Sequence, residues 1–286
     1  MIFYSRISSM QISRRIGAHL SVAGGLVQAA QNAMTMGANC LQVFSGSPRV
    51  WARKPIDSFP YDTFITFCKD QDFGPIFTHA LYLINLASDN PDLLTKSIGV
   101  LKYDLEFDSR IHGGGVIVHL GSHQGRGFAV SKQRVVKALK EILVGTPKSS
   151  TFLIENSAGQ SGKLCSDLKE IRELLDAVDS PRLGWCFDTC HAFCAGYDLK
   201  TVEKDIATLN LWDSLKVIHL NDSRDLFKSG RDRHENVGEG SIGKDRMKQF
   251  LTNPKFAHLP LILEVPGFNG DGPDAKNIAI VKDLIG

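Results

Sequence analysis

No stretch of this 286-residue chain is long and apolar enough to span a membrane. Its opening residues lack the form of a secretory signal. Charge of one sign is barely in excess, with 33 Lys and Arg against 31 Asp and Glu. So small a balance gives no general attraction to nucleic acid, and any such binding must come from a local basic surface. No glycine-rich dinucleotide fingerprint follows the first strand-like segment, which weighs against a nucleotide-binding open sheet. The six cysteines (Cys40, Cys68, Cys165, Cys186, Cys190 and Cys194) are scattered rather than framed. In a chain without a secretory signal they make no disulfide scaffold. No linker interrupts the chain, so its length reads as one large α/β domain rather than two average ones.

The chain does hold a regular alternation of short apolar runs and helical segments. Residues Met1–Arg15 carry three arginines and no acid. They read as a loose extension, or as a stretch ahead of a start at Met10, rather than a targeting peptide. From Ile16 on, strands are expected at Ile16–Ser21, Cys40–Phe44, Pro75–His79, Gly115–His119, Thr151–Glu155, Leu183–Asp188, Leu215–His219 and Leu259–Glu264. Helices fit between them: Gly24–Met36, Asp57–Lys69, the segment from Pro91 through Leu105, Val130–Leu143, Leu164–Val178, Val202–Leu211, one from near Lys244, and Asp274–Leu284. Eight strands alternating with helices indicate a parallel α/β fold, and the size suits a single-domain (β/α)8 TIM barrel over residues 16–286. A doubly wound open sheet is the alternative.

Six of the runs end in a side chain able to bind metal: His79, His119, Glu155, Asp188, His219 and Glu264. A lone buried histidine or glutamate is usually a hydrogen-bonded core residue. In a closed barrel, however, these ends converge on one face. Imidazoles and carboxylates gathered there without lysine or arginine need a counter-charge, and a bound cation supplies it. The mixed N and O donors suit Zn²⁺, with Mn²⁺ also compatible. Six ligands exceed one tetrahedral site and fit two metals sharing a carboxylate.

Two further residues, Asp232 and His234, lie two apart in the polar loop Asn221–Ser241, so an extended backbone aims both the same way. With His191 they would form a third site, although a charged loop is more often simply solvated. Cys186, Cys190 and Cys194 read as buried thiols rather than ligands. His19 is expected to support the site from an early strand. His112, His123 and His258 have no assigned role.

These residues sit in segments with a recognisable form: IGAHLSVAGG at Ile16–Gly25, HALYLINL at His79–Leu86, HLGSH at His119–His123, IENSAGQ at Ile154–Gln160, CFDTCHAFCAGYDL at Cys186–Leu199, HLNDS at His219–Ser223, DRHENVGEGSIG at Asp232–Gly243 and LILEVPG at Leu261–Gly267. Together they closely resemble the endonuclease IV family, the zinc-dependent apurinic/apyrimidinic endonucleases of base excision repair. The resemblance implies a TIM barrel holding three zinc ions. The first would lie on His79, His119 and Glu155. The second would lie on Glu155, Asp188, His219 and Glu264, with Glu155 bridging, and the third on His191, Asp232 and His234. It implies cleavage 5′ to abasic sites in double-stranded DNA, with Glu155 and Glu264 in catalytic roles. It also implies DNA contacts from Arg49, Tyr82 and Leu83, the last two as a wedge where the base is missing; ordinary packing is the alternative for that pair. A monomer in the cytoplasm, at the nucleoid when acting on DNA, goes with this reading.

Three features depart from the pattern. Ser161 stands where a second glycine is usual, Pro266–Pro273 lacks an obvious tryptophan, and Met1–Arg15 has no counterpart. Two rival functions remain: a sugar-phosphate isomerase sharing the barrel and a two-metal centre, and a non-catalytic abasic-DNA binder.

Overall fold

The computed structural model describes residues 14–286. The extension expected over Met1–Arg15 therefore lies outside the described residues, except for its last two. Those two are already tied to the barrel floor. The Arg14 guanidinium donates to the carbonyls of Leu251, Phe256 and Leu259 at 2.9, 2.6 and 3.3 Å. Arg15 reaches Asp72 at 2.7 Å.

The eight parallel strands are β1 (Ile16–His19), β2 (Cys40–Phe44), β3 (Ile76–His79), β4 (Gly115–Val118), β5 (Phe152–Glu155), β6 (Leu183–Asp188), β7 (Leu215–His219) and β8 (Leu261–Leu263). They pair in chain order, and the last closes onto the first through Ile16 beside Leu261, Gly17 beside Ile262 and Ala18 beside Leu263. Closure leaves no open edge and excludes the doubly wound sheet, so the chain is a TIM barrel. Its helices are α1 (Leu26–Thr35), α2 (Tyr61–Asp70), α3 (Pro91–Arg110), α4 (Phe128–Val144), α5 (Leu168–Val178), α6 (Thr189–Ala195), α7 (Val202–Thr208), α8 (Gly243–Leu251) and α9 (Ala275–Ile285).

Two cores follow from the two faces of the sheet. The larger lies between the barrel and its helices and includes Leu101, Leu105, Phe107, Leu139, Leu174 and Phe250. The smaller fills the barrel itself: Cys40, Phe77, Ile117, Leu153, Cys186, Val217 and Ile262 form one buried cluster, one residue from each strand β2 to β8. At the equivalent place β1 has Gly17, where a Cβ would lie 2.4 Å from the Cys40 carbonyl oxygen. The narrow interior leaves no room there for any side chain.

The differences from the expected elements have local causes. Asp57–Lys69 is not one helix. Phe59 is extended (φ −92°, ψ 141°) as a residue before proline should be, and α2 starts only after Pro60. Helix α6 is buried from Thr189 through Cys194 and so has no polar face to show a period; it follows β6 without a loop. The loop Asn221–Ser241 contains a two-residue antiparallel ribbon, Asp222–Ser223 against His234–Glu235.

Candidate metal centre

Strand periodicity builds the site. Every residue of the inner apolar cluster is followed, two positions on, by a polar side chain. Cys40 precedes Gln42, Phe77 precedes His79, and Ile117 precedes His119. Leu153 precedes Glu155, Cys186 precedes Asp188, Val217 precedes His219, and Ile262 precedes Glu264. Side chains two apart point the same way. The six expected strand-end residues therefore stand as one layer above the apolar plug, joined by His19 and Gln42.

The donors converge in three groups, each with its ligand-type atoms within 4.8 Å of one another. These are His79, His119 and Glu155; Glu155, Asp188, His219 and Glu264; and Asp188, His191 and His234. Glu155 belongs to the first two, as the bridging position requires, and Asp188 to the last two. Asp232 joins the third group through Oδ1, 3.0 Å from His191 Nε2 and 3.5 Å from His234 Nε2. Its Oδ2 is held by Lys163 Nζ at 2.9 Å. All nine residues expected to hold metal thus meet at one mouth, and His79, His119, His191, Asp232, His234 and Glu264 line a cavity of about 310 Å³ with Tyr82 at its rim.

Hydrogen bonds show why these groups fit a cation. His79 Nδ1 is 2.6 Å from the Ala80 carbonyl, His191 Nδ1 is 3.0 Å from that of Asn156, and His234 Nδ1 is 3.2 Å from that of Glu264. A carbonyl accepts only, so each Nδ1 carries the proton and each Nε2 presents a lone pair. Those lone pairs face further acceptors. His79 Nε2 is 3.3 Å from Glu155 Oε2, and His191 Nε2 is 3.4 Å from His234 Nε2. Acceptors facing acceptors in a buried layer are unfavourable unless a proton or a metal lies between them.

The electrostatics agree. Burial alone would push the Glu155 and Glu264 carboxyls up. The imidazoles around them, His119 and His219 at Glu155 and His219 and His19 at Glu264, hold both well below the usual range. Burial lowers imidazoles, yet Asp188 and Asp232 raise His191 well above its ordinary value. His219 is raised likewise by Cys186, Glu264 and Glu155. His119 follows its burial, down to about 4. Without metal, the centre draws protons onto His191 and His219.

The DTCH segment owes its form to a helix cap. Asp188 is the N-cap of α6, its Oδ1 accepting from the His191 backbone N–H at 2.7 Å. That bond fixes the carboxylate and places the His191 ring one turn along, over the same mouth. Asp188 is held again through Oδ2 by Asn221 Nδ2 at 2.7 Å, and its backbone N–H donates to Asn156 Oδ1 at 2.7 Å. Cys186, Cys190 and Cys194 are buried free thiols, in keeping with the packing role read for them.

Several supporting residues carry no metal-type signature in sequence. Gln42 and Asn156 sit within or just past apolar strands, and amides there read as core polar residues. Asp222 accepts the N–H groups of Gly238, Gly240, Ile242 and Gly243 at 3.0, 3.1, 2.9 and 3.2 Å. This explains the middle glycine of the GEGSIG run, since a Cβ on Gly240 would lie 2.6 Å from Asp222 Oδ1. Ser161 takes a left-handed conformation (φ 55°, ψ 29°), the geometry that favours glycine at that place.

The residues expected to touch DNA stand on the rim. Arg49 is exposed in the loop after β2. Tyr82 and Leu83 are 59% and 38% exposed, with the Tyr82 ring edge-on to Phe44. The two segments touch, the Tyr82 N–H donating to the Pro48 carbonyl at 3.2 Å. Beside them runs a cavity of about 780 Å³, walled by the loops after β1, β2 and β8 and reaching His19, Tyr82 and Glu264. Among the described residues no helix is long and apolar enough to cross a membrane.

Comparison with known proteins places this geometry. A family model described as xylose isomerase-like TIM barrel matches residues 30–284. The probable endonuclease 4 of Halothermothrix orenii is 34% identical over 275 residues, covering 94% of this chain and 99% of that protein. That of Methanoculleus marisnigri is 36% identical over 279 residues, covering 95% and 99%. The crystal structure of endonuclease IV from Thermus thermophilus superposes with a TM-score of 0.81 at 31% identity, covering 95% and 98% of the two chains. A D-tagatose 3-epimerase-like protein superposes at 0.71 with 20% identity, covering 94% and 97%, a likeness of fold alone.

Proposed function

The chain belongs to the endonuclease IV family, and from that premise we propose that it hydrolyses the phosphodiester bond 5′ to abasic sites in duplex DNA. The products are a 3′-hydroxyl and a 5′-deoxyribose phosphate, and removal of 3′-blocking groups is a second use of the same centre. One observation carries the reading: nine histidine and carboxylate side chains converge as three groups at the mouth of the barrel, two of them sharing Glu155.

Three zinc ions, with Mn²⁺ in part, suit these donors. His79, His119 and Glu155 would hold the first, Glu155, Asp188, His219 and Glu264 the second, and His191, Asp232 and His234 the third. When bound, they supply Lewis acidity toward the phosphate and a nucleophilic water near neutral pH. The chain's own groups do the positioning. Glu264 Oε1 is held by His19 at 2.7 Å, while Oε2 faces His219 Nδ1 at 3.2 Å. A carboxylate fixed in this way would orient the attacking water or accept its proton. Glu155 fixes the spacing of the two groups it joins. Tyr82 and Leu83 fill the gap left by the missing base, and Arg49 grips the strand beside it. The enzyme then acts as a monomer on chromosomal DNA in the cytoplasm.

The test is a duplex with one tetrahydrofuran abasic analogue, incubated with zinc-restored protein. Incision 5′ to the analogue is expected, with none on the undamaged duplex. Full zinc loading without incision would overturn the reading.

A further inference from the structure

We propose that Gln42 decides which atoms of His219 and Glu264 face the metals, so that His219 ligates through Nδ1 and Glu264 through Oε2. The inference rests on the metal reading above and goes beyond its ligand set.

Gln42 is fully buried in the middle of β2, at the level of the ligand layer. Its carboxamide lies between the two residues. Nε2 is 2.6 Å from Glu264 Oε1, and Oε1 is 2.7 Å from His219 Nε2. The carboxylate can only accept, so the nitrogen of the amide must face Glu264. The amide oxygen must then face His219, and an acceptor there requires a proton on His219 Nε2. The remaining ring nitrogen, Nδ1, is the one free to release its proton and offer a lone pair to a metal. It is aimed at Glu155 Oε1 and Glu264 Oε2 at 3.1 and 3.2 Å, inside the second donor group.

His219 is thereby set apart from its neighbours. In His79, His191 and His234 a backbone carbonyl takes Nδ1–H and leaves Nε2 for the metal. At His219 a side chain from β2, across the barrel, selects the opposite tautomer. The same amide, with His19 Nδ1 at 2.7 Å, occupies Glu264 Oε1 and leaves Oε2 toward the metals. Gln42 touches no substrate, so it is a positioning residue. Partners of this kind usually govern metal affinity by about 10- to 100-fold.

The experiment uses the whole protein, labelled with ¹⁵N-histidine and loaded from zinc chloride, with long-range ¹H–¹⁵N correlation spectra and zinc competition against a chelator. In the wild type, His219 should show Nε2 protonated and Nδ1 coordinated, opposite to His79 and His191. Gln42→Leu removes both hydrogen bonds. It should lose that pattern, weaken one zinc by about 10- to 100-fold, and lower kcat on the abasic duplex with little change in KM. Gln42→Glu keeps an acceptor for the His219 N–H but not a donor for Glu264. It should keep the tautomer while still binding that zinc more weakly than the wild type, and it decides the matter should the leucine variant not fold. His219 coordinated through Nε2 in the wild type would overturn the proposal, as would a folded Gln42→Leu with unchanged pattern and affinity. If neither His79 nor His219 responds to zinc, the metal reading itself fails and this inference falls with it.

Discussion

Glu155 is where a single atom change should do most damage, because both of its oxygens are engaged by different groups. Oε2 faces His79 and His119 at 3.3 Å each, and Oε1 faces His219 at 3.1 Å. Glu155→Gln replaces one of those oxygens with a donor that cannot bind metal. Zinc content measured by elemental analysis should fall by more than one ion per chain, with incision lost. Glu264→Gln should act differently, since the residue lies at the open side of the layer. We expect kcat lowered by about 10²- to 10⁴-fold, the usual worth of a positioned acid or base. Binding of abasic duplex should change little, as fluorescence anisotropy would show. Equal turnover of mutant and wild type would remove Glu264 from the chemistry. Such residues were legible in the sequence because they are ionisable and end apolar runs. Gln42 and Asn156 were not, because a neutral amide in a strand looks the same whether it fills a core or aims a ligand.

The elements divide in a similar way. Amphipathic helices and apolar strands announced themselves by period, whereas α6 is buried on every side and the Asp222–Glu235 ribbon is too short to have one. The loop from Ser45 to Pro55 also had no legible form, and one side chain supplies much of its internal hydrogen bonding. Arg53 Nη1 donates to the carbonyls of Ser47, Val50 and Ala52 at 3.3, 2.9 and 3.2 Å. Its guanidinium also lies beside Asp104 of α3, with Nε 3.8 Å from Oδ1. Asp104 in turn accepts from Ser45 Oγ at 2.5 Å, and burial raises its carboxyl to about 6. The loop that carries Arg49 and supports Tyr82 is thus wound around Arg53 and pinned to a helix. Arg53→Met keeps the apolar stem and removes the charge. It should weaken abasic-duplex binding by about tenfold, the equivalent of one charge-assisted hydrogen bond, with zinc content unchanged. A binding constant within twofold of wild type would show that the loop keeps its form without the arginine.

For the whole molecule, the barrel concentrates its polar cost in one layer and its cation requirement with it. In the protein without metal, His191 and His219 titrate well above their usual 6.5 because carboxylates surround them. A raised imidazole stabilises the fold fully below its unfolded value of about 6.5, and that contribution is lost as pH rises through the folded value. Glu155 and Glu264 are depressed, so their contribution persists at neutral pH and disappears only in acid. Between neutral and alkaline pH, the metal-free protein therefore loses the imidazolium charges that balance its carboxylates. Metal binding runs the other way, because zinc takes the deprotonated rings and replaces the lost protons. Ligation also adds stability that grows with the free metal concentration over Kd. The drop in Tm caused by a chelator should accordingly be larger at about pH 8.5 than at about pH 6, as thermal melts with and without chelator would measure. Equal drops at both values would mean that protons do not stand in for the metals, and that the facing acceptors of the empty layer are relieved by movement of the side chains instead.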